Sequence, residues 1–180
     1  MSQQFDHPMH TRCLEITCNL TRLPPNNEIL AEHPSVVPVM LRLATAENEE
    51  DRVWALRMLQ NISASKSGKQ VLVSTFALEL LSMSVLRTQA EEQKAAMAAL
   101  FNLSTDPGCL MAIAGTRDVL SSLVLVSQDM NIMSDVRLMA CDTLSTIGLW
   151  FQKLAGVNTV PDGAEEAIPS NVTVGWNRWD

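Results

Sequence analysis

The chain contains no tyrosine and few of the residues that build β-sheets and glycine-rich loops. Its 180 residues include only four phenylalanines, four tryptophans and seven glycines. A β-sandwich or β-barrel usually needs aromatic and β-branched residues in its strands, so this composition disfavours both. Unbranched side chains such as Leu and Met lose little rotamer freedom in a helix. With 47% apolar and 18% charged residues, the composition predicts an ordered, all-α domain.

Basic residues are also scarce, and long apolar runs are absent. The net charge is −7, and the 13 lysines and arginines are scattered along the chain. Nucleic acids and anionic membrane surfaces select clustered positive charge, so neither is an expected partner. No run of 18 apolar residues occurs, and membrane insertion is therefore not expected. The charge favours a protein or peptide partner of basic or mixed charge.

The cysteines form no CxxC pair. All four lie in apolar stretches with helical character: Cys13, Cys18, Cys109 and Cys141. Free cysteine behaves as a small hydrophobic residue, so we expect four buried, reduced thiols. The first ten residues, MSQQFDHPMH, lack the apolar core of a signal peptide. These features predict a reducing compartment, most simply the cytoplasm, with the nucleus as an alternative.

Recognisable catalytic and metal-binding motifs are absent from the sequence. It has no glycine-rich phosphate loop, and none of its three histidines neighbours a nucleophile motif. Three acidic pairs occur at expected helix starts or near the C-terminus, where we expect them to be solvated: Glu49–Glu50, Glu91–Glu92 and Glu165–Glu166. One group has donor types suited to a transition metal, but Pro8 interrupts its spacing: Asp6, His7, His10 and Cys13. We predict no catalytic residue, metal, cofactor or small-molecule substrate.

An internal repeat dominates the sequence. Four segments align on one small polar position: TRCLEITCNLT, RVWALRMLQNIS, KAAMAALFNLS and LMACDTLSTIG. That position holds Asn19, Asn61, Asn102 and Thr146, at spacings of 42, 41 and 44 residues. A period of about 40 residues is typical of helical solenoids.

The register holds at several other positions in the four segments. Positions are counted from the aligned polar residue (Asn19, Asn61, Asn102 or Thr146). The residue at position −6 is always small, and the residues at positions −5, −2 and +1 are mostly apolar. Offsets of −6, −5, −2 and +1 lie on one side of an α-helix, so they predict a buried stripe. Between these long helices the pattern predicts a short helix, a break and a helix of medium length. Each unit is therefore predicted to contain three helices.

Three helices in about 42 residues, with A-x-x-x-L-x-N-L/I-S closing the third, resemble the armadillo repeat. The HEAT repeat has two helices and lacks this asparagine. The resemblance covers residues 11–155 and implies a right-handed α-solenoid of about three to four repeats. Residues 1–10 are then an N-terminal cap or the end of a truncated repeat. Residues 156–180 form an acidic, tryptophan-containing tail.

The resemblance also implies a function, because armadillo proteins hold extended peptides with their asparagine ladder. We therefore expect Asn19, Asn61 and Asn102 to line a concave groove and contact a ligand backbone. The alternative is that these asparagines only satisfy local backbone groups. Other expected groove residues are Trp54, which is either an aromatic anchor or a core residue, and the nearby cations Arg57 and Lys94. The tryptophan array of the importin-alpha branch is missing, so its cargo role does not carry over.

The expected function is thus a non-enzymatic protein-interaction scaffold. One alternative is a regulatory or substrate-recruiting subunit of an enzyme assembly such as a ubiquitin ligase. A second alternative is an architectural protein that acts through its tail, whose last residues include Trp176, Arg178 and Trp179. These are residue types that dominate binding hot spots, so we expect them to contact either the chain's own groove or a second protein. Four Asn-x-Ser/Thr triads in the sequence match glycosylation sequons, but three of them lie at the ladder and are accounted for by the repeat.

Overall fold

The computed structural model describes residues 7–156. Within this range the chain forms ten helices and no strand. Their bounds are α1 His7–Thr21, α2 Pro24–Glu32, α3 Val36–Leu43, α4 Glu49–Ile62, α5 Lys66–Val73, α6 Ala77–Ser84, α7 Ala90–Ser104, α8 Pro107–Gly115, α9 Arg117–Gln128 and α10 Ser134–Leu154. Most of the segments predicted to lie outside the repeats, namely 1–6 and 157–180, fall outside the described residues.

The helices form three units of three, preceded by α1. Helices α4, α7 and α10 are the third helices of their units, and each packs on the third helix before it. The first helices α2, α5 and α8 also stack in order, and the second helix α6 packs on α9. Successive units therefore lie side by side around one continuous core. The predicted all-α solenoid is confirmed.

Helix boundaries follow from local capping. Side chains of Asn48, Ser65, Gln89 and Asp106 accept a hydrogen bond from a backbone N–H in the first turn of α4, α5, α7 and α8, respectively. Such a bond satisfies one of the donors that a helix leaves unpaired at its start. Proline opens α2 and α8, where its missing N–H costs nothing. These caps allow three helices to fit into each unit of about 42 residues.

The predicted stripe divides into two sides, one toward each neighbouring unit. Positions −6 and +1 are buried in α4, α7 and α10 but exposed in α1, which has no preceding unit among the described residues. Positions −5 and +2 are buried in α1, α4 and α7 but exposed in α10. The −6 residues Ala55, Ala96 and Ala140 are fully buried. Their small size lets consecutive third helices approach closely.

This division corrects the prediction that all four cysteines are buried. Cys18 and Cys109 are buried, and burial raises the pKa of both thiols. Cys13 is at position −6 of α1 and Cys141 at position −5 of α10, and both are exposed. The sequence pattern is therefore right about the helix face, but wrong about these two thiols because no further unit covers them among residues 7–156.

Polar side chains also connect neighbouring units. The carboxylate of Glu28 in α2 accepts hydrogen bonds from the backbone N–H groups of Lys66 and Ser67 at the start of α5. The hydrogen bonds from Ser67 lower the pKa of Glu28. The side-chain amide of Asn27 donates to the carbonyl of Asn61 at the end of α4, at 3.0 Å. Glu28 thus joins α2 to the following unit, and Asn27 joins α2 to the third helix of its own unit.

A buried ion pair joins α4 to α7 and corrects a second expectation. The sequence pattern predicts a solvated Glu92, but its side chain is 0% exposed. Its Oε1 accepts from Arg52, 2.9 Å from Nε and 2.7 Å from Nη2. Its Oε2 lies 3.4 Å from Nε of Arg87. The burial of Glu92 therefore depends on two arginines from outside α7.

Among residues 7–156 no single helix is long and apolar enough to span a membrane. Helices α8 and α9, bent by 93° at their junction, together match the length and composition of a broken span. Core helices of folded domains match the same pattern, since their apolar residues face the interior. The buried residues of both helices belong to the common core.

Candidate peptide-binding face

The ladder asparagines form hydrogen bonds between units. Nδ2 of Asn61 in α4 donates to the hydroxyl of Thr21, the last residue of α1, at 2.9 Å. That hydroxyl donates its own hydrogen to the carbonyl of Cys18. It must therefore act as the acceptor for Asn61, which fixes the orientation of the asparagine amide. Asn61 is partly exposed, while Thr21 is buried.

Asn102 repeats this arrangement one unit further along. Its Nδ2 lies 3.1 Å from the hydroxyl of Ser63 and 3.2 Å from the carbonyl of Gln60, both at the end of α4. The Ser63 hydroxyl donates to the Gln60 carbonyl, so it too accepts from the asparagine. Nδ2 of Asn102 thus donates into the preceding unit, toward two acceptors that lie 2.6 Å from each other.

The side-chain amide oxygens of Asn61 and Asn102 remain accessible. Within residues 7–156, neither Asn61 Oδ1 nor Asn102 Oδ1 accepts a hydrogen bond, and both side chains are partly exposed. An amide oxygen is an acceptor with two lone pairs. Each rung therefore presents an acceptor whose direction is set by the hydrogen bonds on the other side of the amide. We call the surface that carries Asn61, Asn102 and the residues one turn before them, Arg57 and Ala98, the third-helix face.

The ladder ends at α1 and at α10. Asn19 has the equivalent place in α1 and is exposed, but α1 has no preceding unit among the described residues to supply its acceptor. Thr146 has that place in α10 and donates to the carbonyl of Asp142 in its own helix, at 2.9 Å. Inter-unit hydrogen bonds therefore fix two of the four rungs.

The predicted groove cations are paired with acids of the next unit. Nη2 of Arg57 in α4 lies 2.6 Å from a carboxylate oxygen of Glu91 in α7. Nζ of Lys94 in α7 lies 3.1 Å from a carboxylate oxygen of Asp135 in α10. A third pair has the same form, since His10 Nε2 in α1 lies 2.9 Å from Asp51 of α4. Each of these acids lies near the start of the next third helix and neutralises its partner. The third-helix face therefore carries less net positive charge than the number of its cations indicates.

Trp54 is both a core contact and a partly exposed residue. Its ring packs against the core at its edge, and the guanidinium of Arg57 lies 5.5 Å from its centroid. A shallow pocket of about 470 Å³ opens beside it, lined also by Glu49, Glu50 and Gln89. Trp54 thus has one side that packs in the core and another that is exposed where an aromatic anchor would contact a ligand.

A second, apolar cavity of about 260 Å³ lies at the leading end, where α1, α3 and α4 meet. Leu14, Val39, Met40 and Met58 contribute to its wall. It lies beside α1, the helix whose unit has no first and second helix among the described residues. Its position explains why apolar side chains line an open cavity there.

The remaining candidates from the sequence do not come together in the described residues. No group of three or more His, Cys, Asp or Glu side chains in residues 7–156 is arranged to hold a metal ion. His10, one of the four residues with metal-binding donor types, pairs with Asp51 instead. The tail residues Trp176, Arg178 and Trp179 lie outside the described residues. Their predicted docking stays a prediction.

Comparison with known proteins places the fold. The architecture is similar to a designed armadillo repeat protein, YIII(Dq)4CqI, with a TM-score of 0.72 and 21% identity over 86% of this chain. The chain has an armadillo-like repeat fold. It is also similar to an engineered protein from a structural genomics consortium, with a TM-score of 0.71 and 21% identity over 86% of the chain. The matches cover 66% and 38% of those two chains. No protein-family model and no curated protein matches the sequence.

The armadillo-like fold is compatible with a protein-binding scaffold. Sequence reasoning identifies the asparagines but misses their acceptors in the preceding unit, Thr21, Ser63 and Gln60. The signal is present for two of them, because a hydroxyl residue follows each asparagine by two positions in the first three segments. The hydrogen bonds between units account for the Asn-x-Ser/Thr pattern, which also resembles a glycosylation sequon.

Proposed function

We propose that the chain is a protein-interaction scaffold that holds an extended segment of a partner along the third-helix face. In this proposal it has no catalytic chemistry of its own and acts in a reducing, cytoplasmic or nuclear, compartment. The observation that supports it is the fixed orientation of Asn61 and Asn102. Each amide is fixed from the core side by the preceding unit and presents its oxygen outward.

Preorganisation makes this arrangement suited to binding. A side chain that is already held in one orientation loses little entropy when a ligand binds to it. An extended peptide presents backbone N–H groups at regular intervals, and acceptors on consecutive units match such a ligand. The alternative, that the asparagines only satisfy local groups, accounts for their nitrogen atoms but leaves their oxygen atoms unused.

The test separates the two roles of the asparagines. Tagged protein captures partners from a lysate, and mass spectrometry compares wild type with the double variant Asn61→Ala/Asn102→Ala. The matched control is Thr21→Val/Ser63→Ala, which removes inter-unit hydrogen bonds from the buried acceptor side and keeps both asparagines. Because both doubles lose inter-unit bonds, both should lose stability by about 1 kcal/mol for each bond.

The proposal predicts that a partner lost from the asparagine variant is retained by the control at a reduced level, because both amides remain but lose part of their fixed orientation. If the two double variants retain the same partners at the same level, the asparagines act only in stacking and the proposal fails. Circular dichroism of each variant at the capture temperature verifies that it is folded.

A further inference from the structure

The pocket beside Trp54 has the chemistry to recognise a positive charge. We infer that it is the subsite for a basic side chain, lysine or arginine, of the partner segment. The inference rests on the proposed function, and it names the ligand chemistry that the third-helix face selects. The pocket of about 470 Å³ is formed where the first turn of α4 meets the start of α7.

The pocket wall contains two exposed carboxylates without a counter-ion. Neither Glu49 nor Glu50 forms an ion pair or a side-chain hydrogen bond with any residue in 7–156. Both belong to the first turn of α4. They differ from Glu91 and Asp135, which begin the next two third helices and are paired with Arg57 and Lys94.

The indole supplies a second preference for a cation. Trp54 is partly exposed in this pocket, and a tryptophan face attracts a lysine ammonium or an arginine guanidinium. Arg57 already lies 5.5 Å from the ring, and its own charge is balanced by Glu91 at 2.6 Å. The pocket therefore keeps the negative charge of Glu49 and Glu50. A basic ligand side chain would contact the indole and place its charge near these carboxylates.

The ladder favours the same ligand class on independent grounds. Nδ2 of Asn102 donates to acceptors of the preceding unit, whereas its Oδ1 accepts no hydrogen bond among residues 7–156, so this rung offers an acceptor to a ligand. Acceptors select ligands that bring N–H donors, and lysine and arginine side chains are donors only. A carboxylate-rich ligand would meet an acceptor at the rung and two carboxylates in the pocket. The net charge of −7 adds long-range attraction for a basic segment.

The experiment uses three capped octapeptides in which glycine alternates with arginine, glutamine or glutamate. Titration at low salt follows the indole N–H resonance of Trp54 in the full chain, assigned with the variant Trp54→Phe. We expect the arginine peptide to shift this resonance saturably, and the glutamine and glutamate peptides to leave it unchanged. The double variant Glu49→Gln/Glu50→Gln should bind the arginine peptide about tenfold more weakly, and added salt should weaken wild-type binding.

The control double variant is Glu79→Gln/Asp118→Asn. Its two acids are also exposed and also lie in the first turn of their helices, α6 and α9, so it changes net charge and helix-end charge equally. Its affinity for the arginine peptide should stay within twofold of wild type. An equal loss in both doubles, no shift with the arginine peptide, or tighter binding of the glutamate peptide would each overturn the inference.

The peptide titration needs no natural partner, so its failure is distinct from failure of the scaffold proposal. A captured partner that requires Asn61 and Asn102 but is indifferent to Glu49 and Glu50 would leave the scaffold in place and remove the basic subsite. A captured partner that is indifferent to all four residues would contradict both.

Discussion

Replacing Glu92 with glutamine should destabilise the domain strongly, although Glu92 touches no part of the candidate face. Its carboxylate is fully buried between α4 and α7. Oε1 accepts a hydrogen bond from Nε of Arg52 at 2.9 Å and lies 2.7 Å from Nη2, and the Arg52 side chain is only 13% exposed. Removing one partner of a buried ion pair typically costs about 3–5 kcal/mol, because the other charge stays buried and unpaired. Arg52 also donates to the carbonyls of Ala46 and Glu47, which keeps the expected cost at about 3 kcal/mol.

Equilibrium unfolding in urea, followed by circular dichroism, measures this cost. For a domain of this size a loss of about 3 kcal/mol corresponds to a fall in Tm of about 6–12 °C. The double variant Arg52→Met/Glu92→Leu removes both charges and should cost less than Glu92→Gln alone. A change below about 1 kcal/mol for Glu92→Gln, with an unchanged urea dependence, would refute the reasoning that this charge is buried and paired.

Three further predictions concern close packing and thiol burial. A Cβ at Gly68 would overlap the carbonyl oxygen of Ile62, so Gly68→Ala should lower the free energy of unfolding in urea by about 1–3 kcal/mol. The control Gly115→Ala meets no atom and should leave that free energy unchanged. Equal effects of the two substitutions would contradict this. Iodoacetamide at pH 8 should modify Cys13 and Cys141 and spare Cys18 and Cys109 until unfolding. Because burial raises the pKa of both buried thiols, their contribution to stability is present below the ordinary thiol pKa and is lost as the pH rises above it; a stability unchanged over that range would contradict this.

Much of the fold could be predicted because the same pattern occurs in several successive segments. The small residue at position −6 of the third helices indicates close approach, and Ala55, Ala96 and Ala140 are fully buried. The pattern could not show that its two sides face different neighbours, and the prediction for Cys13 and Cys141 is wrong for that reason. Exposure at α1 and α10 depends on which units lie beside them in the described residues, and local periodicity does not record that.

The candidate site was less predictable because its chemistry depends on contacts between units. Asn61 bonds Thr21 across 40 residues, and Arg57 pairs with Glu91 across 34. A single sequence shows that an asparagine or an arginine is present, but not which of its atoms are already engaged. Glu92 illustrates the same limit, because an acidic pair at a helix start indicates solvation until Arg52 is seen beside it.

Side-chain amide resonances of asparagine report whether a partner segment lies along the third-helix face. After capture, the partner's binding segment is added to ¹⁵N-labelled chain, and the NH₂ groups of Asn61, Asn102 and Asn26 are followed together. Asn26 is the reference, since it belongs to the first helix α2 and donates to the carbonyl of Leu20. We expect the resonances of Asn61 and Asn102 to shift with a common Kd while that of Asn26 does not shift. Shifts confined to the first and second helices, with both ladder amides unmoved, would contradict it.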